Sequence, residues 1–229
     1  RRNRNDVDFY VMDPADPTSD KLLSENAGGG WAVADWSPDD KQLLVSESLS
    51  INEGYLWLVD VATGEKKAIT PRGSAEKIAY EPVAFTSDGK GIYAVTDLDS
   101  EFMRLAHIDL ATKKHTFLSG DIPWDVEAVS LSFDGKLLAF VTNENGISRL
   151  HLLDTATGKR HNVPELPTGV FASLQWHENN RDLGFVITAA RSPADGSSLD
   201  VTTRKDDRWT ASETGGLDAA TFVEPKLVK

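Results

Sequence analysis

Leu131-Ser132-Phe133-Asp134-Gly135 is a polar turn between two alternately apolar runs, and the chain carries it four times. The other copies are Trp36-Ser37-Pro38-Asp39-Asp40, Phe85-Thr86-Ser87-Asp88-Gly89 and Trp176-His177-Glu178-Asn179-Asn180. With Asp39, Asp88, Asp134 and Asn179 in one register, the spacings are 49, 46 and 45 residues. A repeat of this length is the signature of stacked supersecondary units. A second marker keeps step with the first: Asp60-Val-Ala-Thr63-Gly64, Asp109-Leu-Ala-Thr112-Lys113, Asp154-Thr-Ala-Thr157-Gly158 and the degraded Asp200-Val-Thr-Thr203-Arg204. A partial fifth copy, Asp13-Pro14-Ala15-Asp16, stands 47 residues ahead of Asp60.

Both markers read as turns. Asp-Gly and Asn-Asn predict tight type I′ hairpins, in which both central residues take positive φ. In Asp-x-x-Thr-Gly the carboxylate and hydroxyl bind local backbone N–H groups while glycine takes the left-handed conformation. Between turns the side chains alternate with period two, the strand signal. Relative to the reference Asp or Asn, four columns are apolar. They are Ala34, Val83, Val129 and Leu174 five residues before, and Trp36, Phe85, Leu131 and Trp176 three before. Leu43, Ile92, Leu138 and Leu183 stand four after, and Val45, Ala94, Phe140 and Phe185 six after.

Four antiparallel strands in about 45 residues, repeated in series, predict an all-β chain of β-propeller blades, about four to five in number. The expected layout over 1–216 is a half blade (6–26) and blades at 27–73, 74–120, 121–166 and 167–216. Residues 217–229 are expected to be a closing strand or a linker.

Composition sets the outer limits. The 229 residues are 40% hydrophobic and 26% charged, which suits a folded domain with a substantial core. The formal net charge of −12 opposes binding to nucleic acid or an anionic membrane, and the one basic cluster is Arg1, Arg2 and Arg4. The longest apolar stretch, 183–190, is far short of a membrane-spanning helix. The absence of cysteine removes disulfides and thiol chemistry but leaves the compartment open. A homo-oligomer that covers open blade edges is consistent with this architecture.

The segments Trp-Ser-Pro-Asp-Asp-Lys-Gln-Leu (36–43) and Ser-Phe-Asp-Gly-Lys-Leu-Leu (132–138), each followed by an Asp-x-Ala-Thr-Gly turn, resemble the propeller repeats of TolB and of serine peptidases of the prolyl oligopeptidase family. The run from Trp209 through Gly215-Gly216-Leu217 to Thr221-Phe222-Val223-Glu224-Pro225-Lys226-Leu227-Val228 looks like the exit from the propeller in the acylaminoacyl-peptidase and dipeptidyl-peptidase branches. The resemblance implies a two-domain enzyme whose propeller caps an α/β-hydrolase and admits short peptides. No Gly-x-Ser-x-Gly nucleophile elbow occurs in the chain, so no catalytic residue and no cofactor are assigned to it. The alternative is a TolB-like scaffold for protein partners.

Glu81 and Glu127, each seven residues ahead of its reference Asp, are the candidates for substrate gating. On the innermost strands they would attract a peptide ammonium group into the channel. Tyr80, Trp31 and Trp124 near the same rim read mainly as core. Arg104 and Arg149, each five residues before its turn Asp, are expected to form ion pairs between blades. His107 and His151 fall on opposite strand faces and do not converge on a metal.

Overall fold

The structure, a computed structural model, describes residues 3–73 and 76–223. Arg1, Arg2 and the run 224–229 lie outside the described residues. The chain divides into two compact units, 1–122 and 123–229.

In the first unit, β1 (Phe9–Asp13) and β2 (Asp16–Ser24) form a two-stranded sheet. Two four-stranded sheets follow. One is β3 (Trp31–Trp36), β4 (Gln42–Ser50), β5 (Glu53–Asp60) and β6 (Lys66–Ala68); the other is β7 (Tyr80–Phe85), β8 (Gly91–Thr96), β9 (Arg104–Asp109) and β10 (His115–Phe117). The second unit holds two more. They are β11 (Val126–Leu131), β12 (Leu137–Glu144), β13 (Ile147–Asp154) and β14 (Arg160–His161), then β15 (Val170–Trp176), β16 (Asp182–Ala189), β17 (Ser192–Asp200) and β18 (Lys205–Arg208). In every sheet the strands are antiparallel and follow chain order, the meander of a propeller blade. Among the described residues the one helical element is a 3₁₀ turn at Ala219–Thr221.

Burial follows the apolar columns on the second strands. Leu43, Ile92, Leu138, Leu183, Val45, Ala94, Phe140 and Phe185 are all buried. In the first unit Leu44, Leu56 and Leu58 pack against Tyr80, Phe85, Ile92 and Ile108 of the next sheet. In the second unit Ala139, Val141, Leu150 and Leu152 pack against Phe171, Trp176, Phe185 and Leu199. Each fully buried aliphatic side chain contributes about 1.5–3 kcal/mol, so contact between neighbouring sheets stabilises both.

The first turn differs from the type I′ expectation. Only the second residue of each pair has positive φ: Asp40 (58°), Gly89 (67°), Gly135 (69°) and Asn180 (55°). The N–H of each donates to the carbonyl three residues back, on Ser37, Thr86, Ser132 and His177, at 2.8–2.9 Å. A left-handed residue therefore follows a β-turn, which makes a longer loop than two residues. The physical reason is the hydroxyl that opens the motif. Ser37, Thr86 and Ser132 donate to Oδ1 of Asp39, Asp88 and Asp134 and accept the N–H of Gln42, Gly91 and Leu137. These bonds pin the loop from inside.

The second turn forms as the sequence predicts. Oδ1 of Asp60, Asp109 and Asp154 accepts both the N–H and the hydroxyl of Thr63, Thr112 and Thr157. Gly64, Lys113, Gly158 and Arg204 all occupy the left-handed position. These bonds hold the Asp60 carboxyl below its ordinary range, the Thr63 hydroxyl first among them.

Candidate functional site

The first strand of each complete sheet carries a β-bulge, and its place decides how the two candidate carboxylates are held. On β7 the irregularity lies between Pro82 and Ala84, which leaves Glu81 in the ladder opposite Val95. On β11 it lies between Val126 and Ala128, so Glu127 is itself the bulged residue. A bulge re-aims its side chain. The two residues share a sequence column, yet their local registers differ. Both are exposed, and Glu127 accepts a 2.8 Å hydrogen bond from Nδ2 of Asn143 on β12.

The aromatic residues near these positions are packing elements. Tyr80 is 4% exposed, and burial pushes its hydroxyl up to about 12. That hydroxyl lies 3.3 Å from Nε2 of His115, whose own pKa burial lowers. Trp31 packs against Trp57 at 5.7 Å between ring centroids and donates its indole N–H to Ala27 O.

The arginine expectation is corrected. Arg104 stacks its guanidinium on Phe117, 3.7 Å from the ring centroid, and donates to Leu98 O. Arg149 reaches Glu144 at 4.0 Å. Each finds its partner on or beside its own sheet, Phe117 on β10 and the Leu98 carbonyl for Arg104, and Glu144 on β12 for Arg149, so neither forms an ion pair between blades.

Two charged clusters escaped the sequence reading. Glu47 on β4 has a side chain 4% exposed; Oε1 pairs with Nη2 of Arg72 at 2.8 Å and Oε2 accepts the Trp57 indole N–H at 3.1 Å. The Arg72 guanidinium also lies over the rings of Tyr55 and Trp57. The available signal was a column mismatch. The residues at the same repeat position are Thr96, Thr142 and Ile187, all buried, so a carboxylate there needs a dedicated partner. In the second unit Asp195, 1% exposed, accepts bonds from Ser192, Arg208, Thr210 and the Ser212 N–H. The Ser192 hydroxyl leads in lowering its pKa from 3.8 to about 2.

One group has the composition of a catalytic triad but not its geometry. Thr142 Oγ1 lies 2.8 Å from Nε2 of His151, and Glu144 approaches that same nitrogen at 3.8 Å. A relay needs the carboxylate on the opposite ring nitrogen. The His151 ring is instead stacked on Phe140, with centroids 4.7 Å apart, which makes the group a packed polar network. A cavity of about 370 Å³ lies between β13 and the 163–168 segment, lined by Leu150, Val163, Leu166 and Phe171 with Arg149 and Glu165. Among the described residues no cluster of three or more His, Asp or Glu has the geometry to hold a metal ion.

No family model matches this chain, and no curated protein matches it. Solved structures do. Prolyl oligopeptidase B from Galerina marginata, bound to a 25mer macrocyclization substrate, superposes with a TM-score of 0.74 at 14% identity, over 96% of this chain and 32% of that one. Puromycin hydrolase superposes at 0.72 and 19% identity, over 93% of this chain and 33% of that one. TolB from Acinetobacter baumannii gives 0.62 and 19% identity, over 91% of this chain and 53% of TolB. The chain spans about a third of the length of the two hydrolases and about half of TolB. At these identities the likeness establishes the fold: antiparallel four-stranded propeller blades, as in the prolyl oligopeptidase and TolB propellers.

Proposed function

We propose that this chain is a non-catalytic propeller segment of a serine peptidase of the prolyl oligopeptidase type, gating the access of short peptides to an α/β-hydrolase domain of the same polypeptide. The observation that carries this reading is the likeness to those enzymes over 93–96% of the chain. In this reading the hydrolase supplies nucleophile, base and oxyanion hole, and the propeller supplies a size limit and a charge bias. Glu81 and Glu127, exposed on first strands, attract the ammonium end of a peptide.

The test is to express the full reading frame that contains this chain. The product is expected to carry a Gly-x-Ser-x-Gly segment, to react with a fluorophosphonate probe and to cleave aminoacyl or dipeptidyl chromogenic substrates. The isolated 229-residue chain is expected to do neither. A reading frame without a hydrolase segment overturns the proposal and favours a TolB-like scaffold for protein partners. The observation favouring that second reading is that the chain spans a larger share of TolB than of the peptidases. Recovery of one discrete partner in a pull-down distinguishes it.

A further inference from the structure

The outer edge of the third strand is closed in the same way in three of the four complete sheets. On β5, β9 and β17 the residue four before the turn Asp is Leu56, Leu105 or Gly196. Its carbonyl accepts the N–H of Ile69, Leu118 or Trp209 at 2.8–2.9 Å. Its N–H donates to the hydroxyl of Thr70, Ser119 or Thr210 at 2.8–3.0 Å. Each of these hydroxyl residues stands ten positions after its turn Asp.

The sheet of β11–β14 departs from this rule at one place. Ten positions after Asp154 stands Pro164, which has neither a hydroxyl nor an N–H. The fourth strand pairs only Arg160 with Leu153 and His161 with Leu152, and among the described residues no hydrogen bond joins Val163 to Leu150. On either side of Leu150 the edge is closed. The Ser148 N–H donates to Gly169 O at 3.0 Å, and Leu152 is paired with His161. Among the described residues the N–H and carbonyl of Leu150 therefore lack the partners that their counterparts have, although the residue is buried. The cavity of about 370 Å³ lies at this gap. Val163, Leu166 and Phe171 give it apolar walls, and Arg149 and Glu165 give it one charge of each sign.

We propose that this cavity binds a short peptide, a zwitterion of about two residues with one apolar side chain. The open edge at Leu150 is complemented by one N–H donor and one oxygen acceptor, the pair of groups that a single extended residue presents to an antiparallel neighbour. The apolar side chain packs on Val163, Leu166 and Phe171, the carboxylate meets Arg149 and the ammonium meets Glu165. Arg149 is available for this role, since its contact with Glu144 is long at 4.0 Å and its side chain is 57% exposed. A volume of about 370 Å³ is at the small end of ligand pockets, which limits the occupant's length. The bound peptide pairs two backbone groups that Pro164 leaves without their usual partners. The inference rests on the cavity and on the exception at Pro164, and is independent of the peptidase reading.

The test titrates the 229-residue chain with the dipeptide Ala-Leu, up to about 10 mM, and follows the backbone amide resonances. Before peptide is added, the Leu150 amide is expected to exchange with solvent about tenfold faster than those of Leu56 and Leu105. At saturation its resonance is expected to shift and its exchange to slow by about fivefold or more, with Leu56 and Leu105 unchanged. Pro164→Thr restores the hydroxyl found in the other sheets. It should slow Leu150 exchange in the free chain and abolish the effect of the peptide. Arg149→Gln, at an exposed side chain, should weaken binding by about threefold or more while circular dichroism stays the same. The C-terminal amide of Ala-Leu, which lacks the carboxylate, should bind the parent chain as weakly as Ala-Leu binds that variant. A Leu150 amide as protected as Leu56 in the free chain overturns the proposal. So does a titration without a shift at Leu150, or binding that both substitutions leave intact.

Discussion

Glu47 and Arg72 pair at 2.8 Å with unequal exposure, the carboxylate 4% and the guanidinium 52% accessible. The asymmetry makes the two truncations unequal. Removing Arg72 strands a buried carboxylate, whereas Glu47→Gln keeps an acceptor for the Trp57 indole and leaves an arginine that water can solvate. Arg72→Ala is expected to cost about 2–4 kcal/mol and Glu47→Gln about 1–2 kcal/mol, as compared by urea unfolding. Equal losses would argue against a buried-charge origin.

The Thr86 hydroxyl lies within 3.1 Å of the Asp88 carboxylate, the Gly91 carbonyl and the Gly91 N–H. Thr86→Val preserves shape and β-propensity but removes the hydroxyl. A loss of about 1–2 kcal/mol is expected, together with faster exchange at Gly91. Ser132→Ala, on the corresponding hydroxyl, should show the same pattern at Leu137.

Gly64 and Gly158 occupy the same place in two copies of the second turn, with φ of 74° and 67°, yet their surroundings differ. A Cβ on Gly64 would stand 1.9 Å from the Leu23 carbonyl, and one on Gly158 meets nothing within 4 Å. Gly158→Ala is expected to cost about 1 kcal/mol for the left-handed backbone alone, and Gly64→Ala about 2–4 kcal/mol. Lys113, at φ 61° in the same position, also has an amino group buried without a partner among the described residues. Lys113→Gly should stabilise the chain by about 1 kcal/mol in thermal unfolding.

Asp195 has a folded-state pKa lowered to about 2 from 3.8, chiefly by the Ser192 hydroxyl. A depressed carboxylate contributes stability that is fully present above its unfolded pKa and is lost as pH falls through the folded one. The contribution should therefore disappear between about pH 4 and pH 2. Unfolding midpoints measured across that window should decline less steeply in Asp195→Asn than in the parent. Parallel curves would show that the carboxylate does not carry the acid sensitivity.

In the intact peptidase that we propose, Glu81→Gln and Glu127→Gln should raise KM for peptides with a free amino terminus by about 3- to 10-fold, with kcat little changed. N-acetylated peptides should be unaffected. An equal change for both substrate classes would remove the charge-attraction role.

The sequence alone determined the all-β class, the antiparallel four-stranded repeat and the buried second-strand columns. A 45-residue period and a two-residue alternation are local properties, and a strand that hides one face shows it in its own residues. The second turn was legible for the same reason, since Asp60 and Thr63 satisfy each other within four residues. Tertiary structure decided the rest. The bulge at Glu127, against the ladder position of Glu81, depends on how each first strand meets its partner. The pairing of Glu47 with Arg72 joins residues 25 apart through space, and the exposure of Trp36 against the burial of Trp176 depends on what lies beside each strand. Trp36 and Trp176 are the same residue in the same column, and only what lies beside each strand determines whether the ring is covered.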